Sequence, residues 1–125
     1  MIREVIRTDA APRSASYSQG LKVGPTIYVS GMTGIAVETG KPAGPTIQEQ
    51  TRQALRNCEA VLHAAGATLS DVVEVQGLLA RPEDFAGFNE AYSQVFAVDP
   101  PTRSVGRLGP ELPGILISIR LTACV

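Results

Sequence analysis

The sequence predicts an α+β fold, a mixed β-sheet covered on one face by two helices, and three features carry that prediction. The run Thr46 to Ala65 repeats its apolar residues at helical spacing. A second such run covers about Pro82 to Phe96. Around them lie short stretches of β-branched and apolar residues bounded by Gly and Pro, the pattern of strands. At 125 residues the chain fits one compact domain, taken as residues 1–125.

The elements follow in order. Arg3 to Arg7 alternates charged and apolar residues and reads as a short strand. Ala10 to Ser16 is loop. Tyr17 to Val23 and Pro25 to Gly31 read as a hairpin turned at Lys22-Val23-Gly24-Pro25. Gly31 to Pro45, rich in Gly, Thr and Pro, is expected to be loop over a site.

Thr46 followed by Glu49 is a capping box, in which each side chain accepts a free backbone N–H of the first turn. Ile47, Thr51, Ala54, Leu55, Cys58, Val61, Leu62 and Ala65 then share one helix face, and Gly66 ends it. Val72 to Ala80 has few charges, which predicts a central strand covered on both faces. The next helix carries Phe85, Phe88, Tyr92, Val95 and Phe96 as its apolar stripe, with Asn89 at its edge. Ile115 to Ala123 is the last strand. Ile115, Ile117, Ile119 and Leu121 lie on one side of it, and Leu116, Ser118, Arg120 and Thr122 on the other. Two helices cover only one sheet face, so the other is expected to be buried by association between copies.

Charge and composition narrow the function. Eleven Lys and Arg against 12 Asp and Glu give no basic excess for a grip on phosphates, so no nucleic-acid partner is expected, although a local cluster stays open. No apolar run could cross a bilayer, and Met1 to Arg7 lacks a signal-peptide core. A cytoplasmic protein is expected. Cys58 and Cys124 have no metal-ligand spacing and read as reduced thiols. His63 is the single histidine, read as a helix-surface residue, so no Ser-His or Cys-His nucleophile is expected.

Chemistry is instead suggested by Pro100-Pro101-Thr102-Arg103-Ser104-Val105. The two prolines exclude a helix and deliver Thr102 in extended geometry. Arg103 at that strand entrance could grip a carboxylate with two parallel hydrogen bonds, or it could be a surface arginine on a sheet edge. Tyr17 could close a cleft or cover a sheet edge, and Ser30 could end a strand or bind a ligand.

Several segments then occur together in one order: Tyr17-Ser18-Gln19-Gly20, Val29-Ser30-Gly31, Glu49 to Leu55, Asn57, Ala64-Ala65-Gly66, Asp84-Phe85, Asn89-Glu90-Ala91-Tyr92 and Pro101-Thr102-Arg103-Ser104. In these the chain resembles the RidA/YjgF (L-PSP) family of reactive-intermediate deaminases over nearly its whole length. The resemblance implies a chorismate-mutase-like fold, assembled as a homotrimer with clefts between subunits. It implies hydrolysis of imines or enamines such as 2-aminoacrylate to a keto acid and ammonia, without metal or organic cofactor. By the matching positions Arg103 would hold the substrate carboxylate, the Val105 backbone would add hydrogen bonds, and Tyr17, Ser30 and Asn89 would line the cleft.

Two departures stand out. Where deaminases of this family carry a glutamate on the last strand, this chain has Ser118, which at neutral pH cannot take a proton as a carboxylate can. The usually acidic positions beyond are Arg120 and, after the clamp arginine, Arg107. If the sides of the two strands that bear them face each other, the cleft is basic and prefers a more anionic ligand, such as a dicarboxylate imine. The alternative is that Arg107 pairs with Glu111 and Arg120 faces solvent or a neighbouring subunit. Three functions follow: an imine deaminase acting through Arg103 and Ser118; a small-carboxylate binding or sensing protein that lost hydrolysis with the glutamate; and a ribonuclease, which the balanced charge and the lack of a His pair oppose.

Overall fold

A computed structural model of the chain describes residues 2–125. Strands β1 (Arg3–Ile6), β2 (Gly20–Val23) and β3 (Thr26–Thr33) form an antiparallel meander. A two-residue hairpin, β4 (Ile35–Ala36) and β5 (Lys41–Pro42), leads to helix α1 (Ile47–Ala64). Strand β6 (Val72–Leu79), helix α2 (Phe85–Val95) and strand β7 (Thr102–Arg107) form a β-α-β unit, and β8 (Ile117–Cys124) ends the chain. The main sheet has the order β1-β2-β3-β8-β6-β7. Its one parallel pair is β6–β7, the pair joined through a helix, as parallel strands require.

Most expected elements are present, with shifted edges. Tyr17 to Gln19 is not strand: β2 begins at Gly20, and Tyr17 closes a tight loop by a single bridge to Ser14. The expected loop from Gly31 instead holds the end of β3 and the β4–β5 hairpin. The second helix opens with a 3-10 turn over Pro82–Asp84, and regular strand resumes at Ile117 rather than Ile115.

Helix α1 is capped as its sequence dictates. The Thr46 hydroxyl accepts from Glu49 N–H at 3.2 Å, and the Glu49 carboxylate accepts from Thr46 N–H at 3.3 Å. At the other end Gly66 takes φ 84°, which a side chain would resist, so that Ala67 N–H can reach the Leu62 carbonyl at 2.9 Å. The buried stripe of α1 packs on β3 and β8. Leu55, Val61 and Leu62 are fully buried, each contributing about 2 kcal/mol by removal from water.

Burial shows which face each strand residue takes. Along β8, Ile117, Ile119, Leu121 and Ala123 are buried under the helices, while Ser118, Arg120 and Thr122 point the other way, as the alternation predicts. That second face bears no helix. By register it also carries Leu21, Tyr28, Gln76 and Leu78. Within one chain the helices therefore cover strand β6 on one face only. Its low charge reflects neighbours on both edges, and Val73 and Glu74 are exposed.

Candidate functional site

Arg103 sits on the rim strand. It pairs in register with Val75, and Val105 and Arg107 pair with Gly77 and Leu79. All three thus share the helix-covered face. Gly77 is required there by close approach: a Cβ would lie 2.9 Å from Phe88 Cζ, so its absence lets the ring settle onto the sheet. On that floor the Arg103 guanidinium carbon lies 4.8 Å from the Tyr92 ring centroid, 5.3 Å from Phe88 and 5.9 Å from Phe85. These are cation–π distances, each ring adding on the order of 0.5–1 kcal/mol at an exposed site. Asn89 Oδ1 accepts from Arg103 Nη1 at 2.7 Å. Among the described residues no carboxylate lies within salt-bridge reach of Arg103. A guanidinium with a fixed position and free donors can take a planar anion.

Burial pushes the Tyr92 phenol up, the nearby Arg103 charge opposing it, so the ring stays neutral. The cleft beside this group, about 520 Å³, is lined by Leu79, Pro82, Phe85, Arg103 and Val105. Pro82 is set by the turn that begins α2, where Arg81 and the buried Asp84 pair through two bonds of 2.9 and 3.0 Å.

The other expected residues gather elsewhere. Ser30 lies in β3 at a register shift between Val29 and Met32. Its hydroxyl donates to the Ser18 carbonyl at 2.6 Å and its N–H to the Gln19 carbonyl at 2.9 Å. Ser30 therefore ties down the loop that carries Tyr17. Gln19 holds the same loop from beneath: it is buried, with Nε2 3.0 Å from the carbonyls of Thr8, Ala11 and Pro12. Tyr17, Ser30, Gly31 and Arg120 line one cleft of about 490 Å³ on the open face. Ser118 is half-buried beside it, its Oγ 2.9 Å from where a Cβ on Gly31 would stand.

The condition for a basic cleft, that the Arg103 side of β7 face the Ser118 side of β8, is therefore not met within one chain. β6 separates the two strands, and the side chains in question project from opposite faces of one sheet. Arg107 does not pair with Glu111: both line a third cleft with Ala80 and Pro110, but no ion pair joins them. Sequence reasoning assigned Phe85, Phe88 and Tyr92 to core packing and missed that they form the bed of Arg103. Their spacing, three and four residues apart, was the available signal. It also missed Gln19 and Gln50 as buried anchors. Among the described residues no three His, Cys, Asp or Glu side chains gather as a metal site would need.

The family model described as endoribonuclease L-PSP matches residues 8–125. The chain belongs to the L-PSP family. This L-PSP chain is 44% identical over 124 residues to a RutC family protein of Pyrococcus abyssi, covering 98% of each. It is 36% identical to the human 2-iminobutanoate/2-iminopropanoate deaminase, across 98% of this chain and 90% of the human one. Among solved structures it resembles the Escherichia coli protein TdcF with bound serine, at a TM-score of 0.90 and 28% identity over 98% of both chains. Relatives within the L-PSP family thus include imine deaminases, and one of them binds a small amino acid. Among the described residues no helix is long and apolar enough to cross a membrane.

Proposed function

We propose that this protein hydrolyses reactive imines and enamines of the 2-aminoacrylate type, releasing a keto acid and ammonia. The observation that carries the reading is the unpaired Arg103 guanidinium, held by Asn89 over three aromatic rings at the mouth of a cleft. An α-imino acid offers one carboxylate for that fork and one electrophilic carbon for water. Water adds to the C=N carbon, its proton passes to nitrogen, and the C–N bond of the resulting carbinolamine breaks to give C=O and ammonia. No redox partner is needed. Imine hydrolysis is an easy reaction, so holding the substrate and directing water supply most of what is required.

In this reading Arg103 clamps the carboxylate and the Val105 backbone, on the free edge of β7, adds hydrogen bonds. Ser118, with Tyr17 and Ser30 nearby, orients the water as a neutral hydroxyl rather than as a base. Because the two groups lie on opposite faces of one sheet, the site is complete only when a second copy brings its open face to the Arg103 rim. A homotrimer with a cleft between each pair of subunits meets that need and covers the half-buried Leu78. Free thiols at Cys58 and Cys124 suit a cytoplasmic setting.

The test is ammonia release from an imino acid made in situ by an amino-acid oxidase, with light scattering to give the subunit count. Wild-type protein should accelerate release, and Arg103→Ala should abolish the acceleration. Equal rates for the two would sink the reading. Arg103-dependent keto-acid binding without turnover would establish the binding-protein alternative instead.

A further inference from the structure

We propose that the cleft on the open sheet face is a second anion subsite, in which Arg120 and Arg3 receive the distal carboxylate of a dicarboxylic imino acid. The inference rests on the preceding reading for the placement of the first carboxylate. Four observations carry it. Two arginines, Arg3 from β1 and Arg120 from β8, line this one cleft of about 490 Å³. Neither makes an ion pair or a side-chain hydrogen bond among the described residues, although the chain has more acidic than basic groups with which to neutralise them. No acidic side chain lines the cleft, whereas Tyr17 and Tyr28 do, and a tyrosine hydroxyl can donate to a carboxylate. The nearest carboxylate on this face by register is Glu74, opposite Thr122, on the side of β8 away from β1 to β3. Arg120 itself lies opposite the uncharged Gln76.

The cleft has an apolar part as well, from the half-buried Leu21. Two cations and two hydroxyls around a short apolar patch match a carboxylate on an aliphatic stem of a few carbons. The cleft is also continuous with Tyr17 and Ser30, which belong to the reacting end of the proposed site. Arg107 is the other candidate for this role, but its own cleft holds Glu111 and none of the Tyr17 group. A carboxylate placed there would meet an acid. The substrate class that follows is an α-imino diacid, whose keto-acid product carries two carboxylates.

The test is calorimetric titration of wild type, Arg120→Ala, Arg120→Lys, Arg107→Ala, Arg103→Ala and Arg56→Ala, the last removing an exposed arginine on the far side of the molecule. The probes are 2-oxoglutarate, 2-oxobutanoate, succinate and inorganic phosphate. Wild type should bind 2-oxoglutarate about tenfold or more tightly than 2-oxobutanoate, as a charge-assisted pair provides. Arg120→Ala should erase that preference and leave 2-oxobutanoate unaffected, Arg120→Lys should restore part of it, and Arg107→Ala and Arg56→Ala should keep it. Equal affinity in wild type, a preference that survives Arg120→Ala, or one lost in Arg107→Ala would overturn the assignment. So would phosphate binding as tightly as succinate, which would mark a general anion site. Succinate binding that needs Arg120 and survives Arg103→Ala supports the subsite even if the Arg103 clamp itself fails, so the two readings fall separately.

Discussion

Replacing Gln50 by leucine tests whether one buried amide holds three separate segments together. Gln50 is 1% exposed, on the first turns of α1. Its Nε2 donates to the carbonyls of Gly44 at 2.9 Å and Gly114 at 2.8 Å, and its Oε1 accepts from Leu116 N–H at 2.9 Å. It thus ties the entry to α1, the turn before β8 and the start of β8 to the helix. Leucine has nearly the same volume but satisfies none of the three. Each neutral bond contributes about 1 kcal/mol net, and a backbone group left buried without a partner costs about 1–3 kcal/mol. The segments are only partly buried, so water recovers some of this, and leucine gains apolar burial. The balance is a loss of about 2–3 kcal/mol. At roughly 3–5 °C per kcal/mol for a chain of this size, the melting temperature should fall by about 6–15 °C. Circular dichroism melts at one fixed protein concentration measure it, with urea unfolding as the independent estimate. A loss below about 1 kcal/mol would refute the claim that this amide is a structural tie.

Three further outcomes are expected. Arg103→Lys keeps the charge but loses the planar fork and its stacking on the rings, so keto-acid affinity by calorimetry should fall about tenfold or more; an unchanged affinity would mean that charge alone suffices. Thr51 is wholly buried with its hydroxyl unpaired, so Thr51→Val, close to it in shape, should raise stability by about 1 kcal/mol in urea titrations, and a loss would reveal a missed partner. Burial pushes the Cys58 thiol from 9.0 up to about 12, so the folded chain retains a proton that the unfolded chain gives up. The associated stability is full below about pH 9 and declines as pH rises toward 12, so wild type should lose stability between pH 8 and 10 more steeply than Cys58→Ala. Parallel declines would contradict the burial argument.

What the sequence revealed was what depends on local pattern. The capping box at Thr46, the stripe of α1, the end at Gly66 and the alternation of β8 follow from neighbours a few residues apart. Those elements appear where expected. What stayed hidden depends on pairing across the sheet. Nothing local places β8 between β3 and β6, so nothing local says that Arg103 and Ser118 project from opposite faces. The ordered set of matching segments pointed to Arg103 itself. The aromatic bed beneath it looked like ordinary core, because Phe88 and Tyr92 are core as well. Buried glutamines are legible least of all: Gln19 and Gln50 bond to backbone groups 6 to 66 residues away, and a surface glutamine has the same local signature.

The position of β7 has a consequence for the behaviour of the protein at high concentration. It is a sheet edge, and exposed edges invite the addition of a strand from another molecule. Here the edge runs for only six residues, begins after Pro100-Pro101 and carries Arg103 and Arg107. Like charges brought together in a stray edge-to-edge pairing repel, and the prolines prevent the ladder from lengthening. Arg103, the proposed anion clamp, is thus also a guard against aggregation. The two duties would be linked, because a bound carboxylate would neutralise the charge that keeps the edge apart. Variants that silence Arg103 should be judged for solubility before their loss of activity is read as chemistry.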